Sequence, residues 1–243
     1  MLRLAFVTGT EPGKWFARYR DTTGHGLEDI PSDDPVALLI DGTATLALTR
    51  LPDSRIGEPG QRYHQVKLYS EKPGVAVPKD SVYAEVGEPV RTGDLADEIV
   101  NFRFSAAGEA HEGGSGSIDD LRTALQIVAA NVGVAYAPAP LLKVLAKKQV
   151  RVLELVDPAA DAETEIALVW AVADDSEAVQ DFVGVAKGRT RNSSRGSGEA
   201  SKSEPRSERS RAKVNRKVNG KSGAQRKGAA RKLPKKGGRK RYK

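Results

Sequence analysis

Apolar and polar positions along the first 186 residues fall into two alternating rhythms. Leu2–Val7 is a compact apolar run closed by Thr8-Gly9-Thr10, which predicts a buried strand followed by a turn. Pro12 then opens a short helix that places Trp15, Phe16 and Tyr19 on one face and Arg18 and Arg20 on the other. Ser32-Asp33-Asp34-Pro35 reads as a helix start, with capping side chains ahead of a proline. That helix runs through Val36, Leu38, Leu39 and Ile40 to Gly42, a natural stop. Thr45–Arg50 alternates like a strand. Val66–Tyr69 and Val75–Val77 are further strands, broken by Pro73-Gly74.

The second half repeats this grammar. Ser117-Ile-Asp-Asp120 is a capping pattern that launches a helix with Leu121, Leu125, Val128 and Val132 on one face, ending near Gly133. Val134–Ala137 is a short strand, and Pro138 and Pro140 bracket the start of a helix over Leu141–Lys147. Val150–Val156 and Glu165–Val172 are β-rich, and Ser176–Ala186 is a final amphipathic helix through Val179, Phe182, Val183 and Ala186. Strands alternating with helices predict α/β layers with parallel sheets. Gly113-Gly-Ser-Gly-Ser117 and Asp157–Glu163 read as joints.

Beyond residue 186 the periodicity stops, and charge changes the picture. Residues 187–243 carry 22 Lys/Arg against three Glu, a net of +19, whereas residues 1–186 carry 17 Lys/Arg against 29 Asp/Glu, a net of −12. The overall +7 therefore conceals an acidic body and a basic arm. The arm's large apolar residues are only Val214, Val218, Leu233 and Tyr242, too few to offset the entropy of ordering it, so the sequence predicts disorder until it meets a polyanion. With no cysteine in the chain, disulfides and cysteine-based metal or nucleophile sites are excluded. No apolar run reaches membrane-spanning length, and the N-terminus lacks the charged region and cleavage site of a secretory signal, so the expected location is the cytoplasm, including the nucleoid.

Candidate catalytic motifs do not survive inspection. Gly9-Thr-Glu-Pro-Gly13-Lys14 is one residue short of a phosphate loop, and Trp15 stands where a Ser or Thr would hold Mg²⁺. Gly24-His25-Gly26 lacks the third glycine of a dinucleotide fingerprint. Ser115 fails the nucleophile-elbow spacing because Ser117 occupies the last glycine position. His25, His64 and His111 are scattered without metal-ligand spacing. The residues predict no enzyme, no cofactor and no metal.

The body resembles the effector-binding (substrate-binding) domain of LysR-type transcriptional regulators. The likeness is carried in order by Leu2-Arg-Leu-Ala-Phe-Val7, Leu46-Ala-Leu-Thr-Arg50-Leu-Pro52, Pro89-Val-Arg-Thr-Gly-Asp-Leu-Ala-Asp97 leading into Glu98-Ile-Val100, Val128-Ala-Ala-Asn-Val-Gly133-Val-Ala-Tyr-Ala-Pro138 and Ile166-Ala-Leu-Val-Trp170-Ala-Val-Ala-Asp-Asp175. The resemblance implies a two-lobed α/β fold of the type 2 periplasmic-binding-protein kind, two Rossmann-like lobes crossed twice by the chain. Lobe I is expected at about 1–72 and 164–186 and lobe II at about 73–163, with 187–243 as a basic tail. Two departures stand out. The aspartate usual before Thr49-Arg50 is replaced by Ala47 and Leu48, and the chain opens at the effector-like part rather than at the family's winged helix-turn-helix. What the resemblance implies is therefore ligand sensing, and pairing of two effector domains into a homodimer, rather than the family's own DNA reading.

In such folds a ligand sits between the lobes, at strand ends and helix N-termini. Thr8, Gly9 and Thr10 end the first strand, Ser32 opens a helix, Thr49 and Arg50 end the next strand, and Asn101 and Phe102 follow the second lobe's first strand. Arg50 is placed to grip a carboxylate with two nitrogens. Plainer readings are that Ser32 only caps its helix and that Arg50 only pairs with Asp53. The favoured ligand is a small anionic, carboxylate-like metabolite, because helix N-termini and Arg50 both attract negative charge.

The arm's densest stretch supplies Arg226, Lys227, Arg231, Lys232, Lys235, Lys236, Arg239, Lys240 and Arg241 as nucleic-acid contacts, with DNA or RNA bound through phosphates and little base preference. A solubilising tail, or one folded back on the acidic body, is the alternative. The functional expectation is a ligand-responsive accessory transcriptional regulator. A cytoplasmic metabolite-binding or interaction module with no DNA role of its own is the other reading.

Overall fold

The computed structural model describes residues 1–105, 117–158 and 162–188. Within them the chain runs β1 (Leu2–Val7), α1 (Gly13–Thr22), β2 (Leu27–Ser32), α2 (Pro35–Ile40), β3 (Leu46–Leu51), β4 (Tyr63–Glu71) and β5 (Pro73–Pro78). It continues with α3 (Val82–Val86), β6 (Val100–Arg103), α4 (Ile118–Ala129), β7 (Val134–Pro138), α5 (Ala139–Leu145), β8 (Val150–Glu154), β9 (Thr164–Ala171) and α6 (Glu177–Ala186). A 3₁₀ turn at Thr92–Leu95 leads toward β6.

These strands form two sheets. One has five strands in the order β2-β1-β3-β9-β4, and the other has four in the order β6-β7-β5-β8. The chain passes from the first sheet to the second between β4 and β5, and returns between β8 and β9. Each sheet with its helices forms one lobe. The alternation of strands and helices predicted parallel sheets, but both are mixed. β1 pairs in parallel with β2 and β3, whereas β9 runs antiparallel to β3 and β4. In the second sheet β5 is antiparallel to β7 and β8, and β6 alone runs parallel to its neighbour. The antiparallel members are the strands next to the crossings, which enter or leave a sheet without a helical crossover to reverse their direction.

Helices cover both faces of each sheet, so central strands are apolar throughout rather than alternating. All six residues of β3 are buried between β1 and β9. On one face of the first sheet, Leu4, Leu46, Leu48, Ile166 and Leu168 pack under Phe16 and Tyr19 of α1 and Val179 and Phe182 of α6. The Tyr19 hydroxyl reaches the Ala178 carbonyl at 3.1 Å, which joins α1 to α6 at its polar tip. On the opposite face Val36 and Leu39 of α2 meet Ala47, Leu51, Ala167 and Val169. The second sheet is sandwiched likewise, by α4 and α5 on one side and by Val90, Leu95 and Tyr83 on the other.

One element gave no signal in the sequence. β2 is an edge strand with no buried residue, and Glu28, Asp29 and Pro31 of its six-residue span are exposed. Charge and proline suit an unpaired edge but erase the apolar pattern that marks a strand. Its presence moves the start of the following helix. Asp34, not Ser32, caps α2 by accepting from the Ala37 N–H at 3.1 Å.

Gly133 explains how α4 turns into β7. It adopts φ +60°, and a Cβ there would sit 2.1 Å from the Ile99 carbonyl oxygen, the atom that also accepts the Val134 N–H. Only glycine supplies that conformation with no side chain to collide. Gly133→Ala is therefore expected to destabilise the fold by about 1–3 kcal/mol or more, read as a lowered urea midpoint with unchanged slope.

Candidate functional site

Arg50, near the C-terminal end of β3, is 5% exposed, and its guanidinium grips a carboxylate with two nitrogens. The carboxylate is the protein's own. Nε and Nη2 donate to the two oxygens of Glu71 at 2.7 and 3.1 Å, and Nη1 donates to the Thr8 carbonyl at 2.8 Å. Glu71 is 3% exposed and accepts a third bond from the Thr164 hydroxyl at 2.9 Å. Arg50 is therefore a structural cation rather than a free ligand clamp, and its partner is not Asp53. Two buried charges are tolerated because each nitrogen and oxygen of the pair has a partner within bonding range.

Gly9 belongs to the same node. It takes φ +94°, and an added Cβ would lie 2.7 Å from Arg50 Nη2 and 3.0 Å from the Leu141 Cα. Its bare backbone lets the loop after β1 cross over the guanidinium and touch α5 of the second lobe. Thr8 contributes its carbonyl to Arg50, and its hydroxyl donates to Asp33. Thr10 turns away, with its hydroxyl donating to the Val7 carbonyl at 2.7 Å and its side chain on a separate small cavity beside Trp15 and Tyr69.

A cleft of about 540 Å³ opens beside this node. The first lobe supplies Val7, Asp33, Asp34, Pro35, Thr49, Arg50 and Asp53–Arg55, and the second supplies Phe104, Ser105 and Ser117–Asp119. Of the eight residues expected to bind ligand, only Thr49 and Arg50 line it. Ser32 ends β2, where its hydroxyl accepts from the Asp34 N–H at 3.0 Å. Asn101 and Phe102 lie within β6 rather than after it, and neither lines the cleft. The Asn101 amide donates to the Val132 carbonyl at 2.7 Å, and Phe102 is a core residue at 3% exposure. β6 runs to Arg103, so the residues that leave the strand for the cleft are Phe104 and Ser105. The nine basic residues between Arg226 and Arg241 lie outside the described residues.

What sequence reading missed is a set of paired charges. Arg55 binds both Asp34 oxygens at 2.7 and 2.9 Å and reaches Asp53 at 2.7 Å. Arg122 of α4 bridges the lobes, with two nitrogens on Asp33 at 2.7 and 3.1 Å and one on Asp119 at 2.7 Å. The hydrogen bonds from Arg122 hold the Asp33 carboxyl below the usual carboxylate range. Partial burial pushes Asp34 upward, but the Arg55 bonds and the Ala37 N–H together outweigh it and bring it down as well. Asp33 and Asp34 were visible as helix-start residues, yet nothing in their spacing announced partners 89 and 21 positions away.

Among the described residues no group of His, Asp and Glu is arranged to hold a metal, and no helix is long and apolar enough to cross a membrane. The sequence matches the family model described as LysR substrate binding domain over residues 26–191. Among solved structures, the chain is similar to the BenM effector binding domain with its effector benzoate, at 18% identity and TM-score 0.56, covering 76% of this chain and 90% of that one. It is similar also to a reduced form of OxyR from N. meningitidis, at 16% identity and TM-score 0.54, covering 76% and 93%. No curated protein matches the sequence. At these identities the structural likeness carries the fold.

Two predictions follow from the charges. Arg50→Met leaves Glu71 buried without its cation and is expected to cost about 3–5 kcal/mol of stability. Combined with Glu71→Leu it will cost less, because no lone charge stays buried; urea unfolding of the three proteins measures the difference. Asp33 and Asp34 have depressed values, so their contribution is complete above the unfolded-chain value near pH 4 and is lost as pH falls through their lower folded values. Between about pH 5 and pH 2, the native protein should lose more thermal stability than an Asp33→Asn/Asp34→Asn variant.

Proposed function

The chain belongs to the LysR substrate binding domain family, and from that membership we propose that its body is a small-molecule effector domain acting in transcription regulation. Domains of this family are regulatory ligand-binding domains rather than enzymes. The observation that carries the reading is the cleft of about 540 Å³ with walls from both lobes. That volume suits a small metabolite. A ligand that touches both walls favours one relative setting of the lobes, and differential affinity is what makes a binding event a signal. A thermal-shift screen of small metabolites on the full chain tests it, and a chain that responds to none of them would remove the effector role.

The basic segment gives the proposed regulator its second partner. Residues 187–243 carry a net +19, which supports attraction to DNA or RNA through phosphates without base readout. The body, at −12, opposes binding and confines the affinity to that segment. If roughly six to ten phosphates are engaged, affinity will fall by about 10³–10⁵ between 50 and 200 mM salt. Gel shifts over that range, with the full chain and with a version ending at Ala186, measure both the slope and its source. Loss of nucleic-acid binding on truncation is the expected result. A full chain that binds no nucleic acid at the low end of that range points instead to a metabolite-binding or interaction module without a DNA role.

A further inference from the structure

The cleft holds more acid than base. Asp33, Asp34, Asp53 and Asp119 line it, and the guanidinium groups that answer them are Arg55 and Arg122. Arg50 also lines the cleft, but Glu71 cancels its charge. Among the described residues, four carboxylates against two cations leave an excess of two negative charges on the walls. A carboxylate ligand would enter against that field. It would also have to displace one of the protein's own acids, since each of these three guanidinium groups already holds one.

A second feature of the same wall asks for a partner. Thr49 is 4% exposed and lines the cleft, and its hydroxyl makes no hydrogen bond among the described residues. No fully buried side-chain nitrogen or oxygen among those residues lacks a partner, so this hydroxyl is not fully enclosed, and its residue lines the cleft. A largely desolvated hydroxyl is satisfied only by water or by a ligand that reaches it. Backbone register does not explain its presence. Ala47 and Leu51, two positions to either side on the same face of β3, pack into the apolar cluster under α2, where a valine would serve equally well.

We propose that the cleft takes a small cationic ligand, a primary amine or short diamine, with the Thr49 hydroxyl accepting from its ammonium group and the excess charge of Asp33, Asp34 and Asp53 supplying the counter-ion. The proposal rests on the effector reading above and names the ligand class of that site. An ammonium with three donors matches a wall rich in acceptors. It adds a partner to carboxylates whose lone pairs exceed what two guanidinium groups use.

The test compares 1,4-diaminobutane with succinate, two four-carbon probes of opposite charge, by thermal shift and isothermal titration on the full chain at low ionic strength. The basic segment repels the diamine and attracts succinate, so it cannot produce the expected result by itself. The diamine should bind saturably and raise the melting temperature more than succinate does. Thr49→Val should keep the native melting temperature without ligand yet lose about ten- to a hundredfold in diamine affinity, the worth of one hydrogen bond to a charged group. Asp53→Asn should weaken the diamine further. Diamine affinity unchanged in both variants would overturn the assignment, as would saturable binding of succinate alone or of neither probe. Succinate binding in the cleft would remove only the cationic class and leave the effector reading standing. A chain that also responds to nothing in the wider metabolite screen would lose both.

Discussion

The buried pair of Arg50 and Glu71 is the constraint around which the two lobes are arranged. Glu71 is the last residue of β4, where the chain leaves the first sheet, and Thr164 is the first residue of β9, where it returns. Arg50 sits one residue before the end of β3, which neighbours β9 in the sheet, and Thr8 begins the loop after β1. One carboxylate and one guanidinium thus tie both crossings to two neighbouring strand ends. Such a pair adds little net stability over apolar residues of the same size, because desolvation offsets the attraction. Its geometry is more demanding than apolar packing. Fixed N–H directions and a planar carboxylate accept one setting of four chain segments, and Gly9 is bare so that the loop can pass over them.

That use of Arg50 decides the electrostatics of the cleft. A free arginine at this strand end would make the site anion-seeking. With Glu71 behind it, the wall is governed by the aspartates at the β2–α2 junction and after β3. The departure of this chain from the family pattern just ahead of Thr49, with Ala47 and Leu48 where an aspartate is usual, does not leave the region short of acid. Asp53, two residues past the strand, and Asp33 and Asp34, across the cleft mouth, hold Arg55 and Arg122 instead.

Much of the fold was legible because its cues are local. Pro12, the acids and Pro35 before α2, the Ser117 cap and the apolar runs of β1, β3, β7 and β9 each act within a few residues, and the structure places elements where they point. β2 was not legible, since an exposed acidic edge strand is stabilised by pairing with β1 rather than by its own pattern. The strand directions were misread for a similar reason, because alternating elements do not reveal which strands lie beside the crossings. The site was harder still. Arg50 was singled out for a ligand's carboxylate and holds the protein's own Glu71, because partner choice is tertiary. Asp53 is three residues away and Glu71 is 21, and burial rather than proximity in sequence selected Glu71. The strand ends three residues later than the sequence suggested, so Asn101 and Phe102 lie in β6 and Phe104 is the phenylalanine that reaches the cleft.

The buried Arg50 node of the first lobe and the exposed Arg122–Asp33 pair between the lobes differ in kind, and that difference gives the cleft its capacity to respond. At the hinge the Arg50–Glu71–Thr164 node is buried, so separating its members exposes unpaired charge to a low-dielectric interior at a cost of several kcal/mol, roughly. At the mouth, Arg122 and Asp33 are each 39% exposed. Water can replace either partner there, and such a pair is worth about 0–1 kcal/mol. The first-lobe ends of both crossings are therefore firmly held, while Arg122 and Asp33 fasten the lobes only lightly where a ligand would enter. A molecule that binds both walls competes with that weak fastening, and the buried node keeps the first-lobe wall in place meanwhile. The cationic occupant inferred for the cleft would act at that point, because Asp33 is the carboxylate for which it and Arg122 would compete.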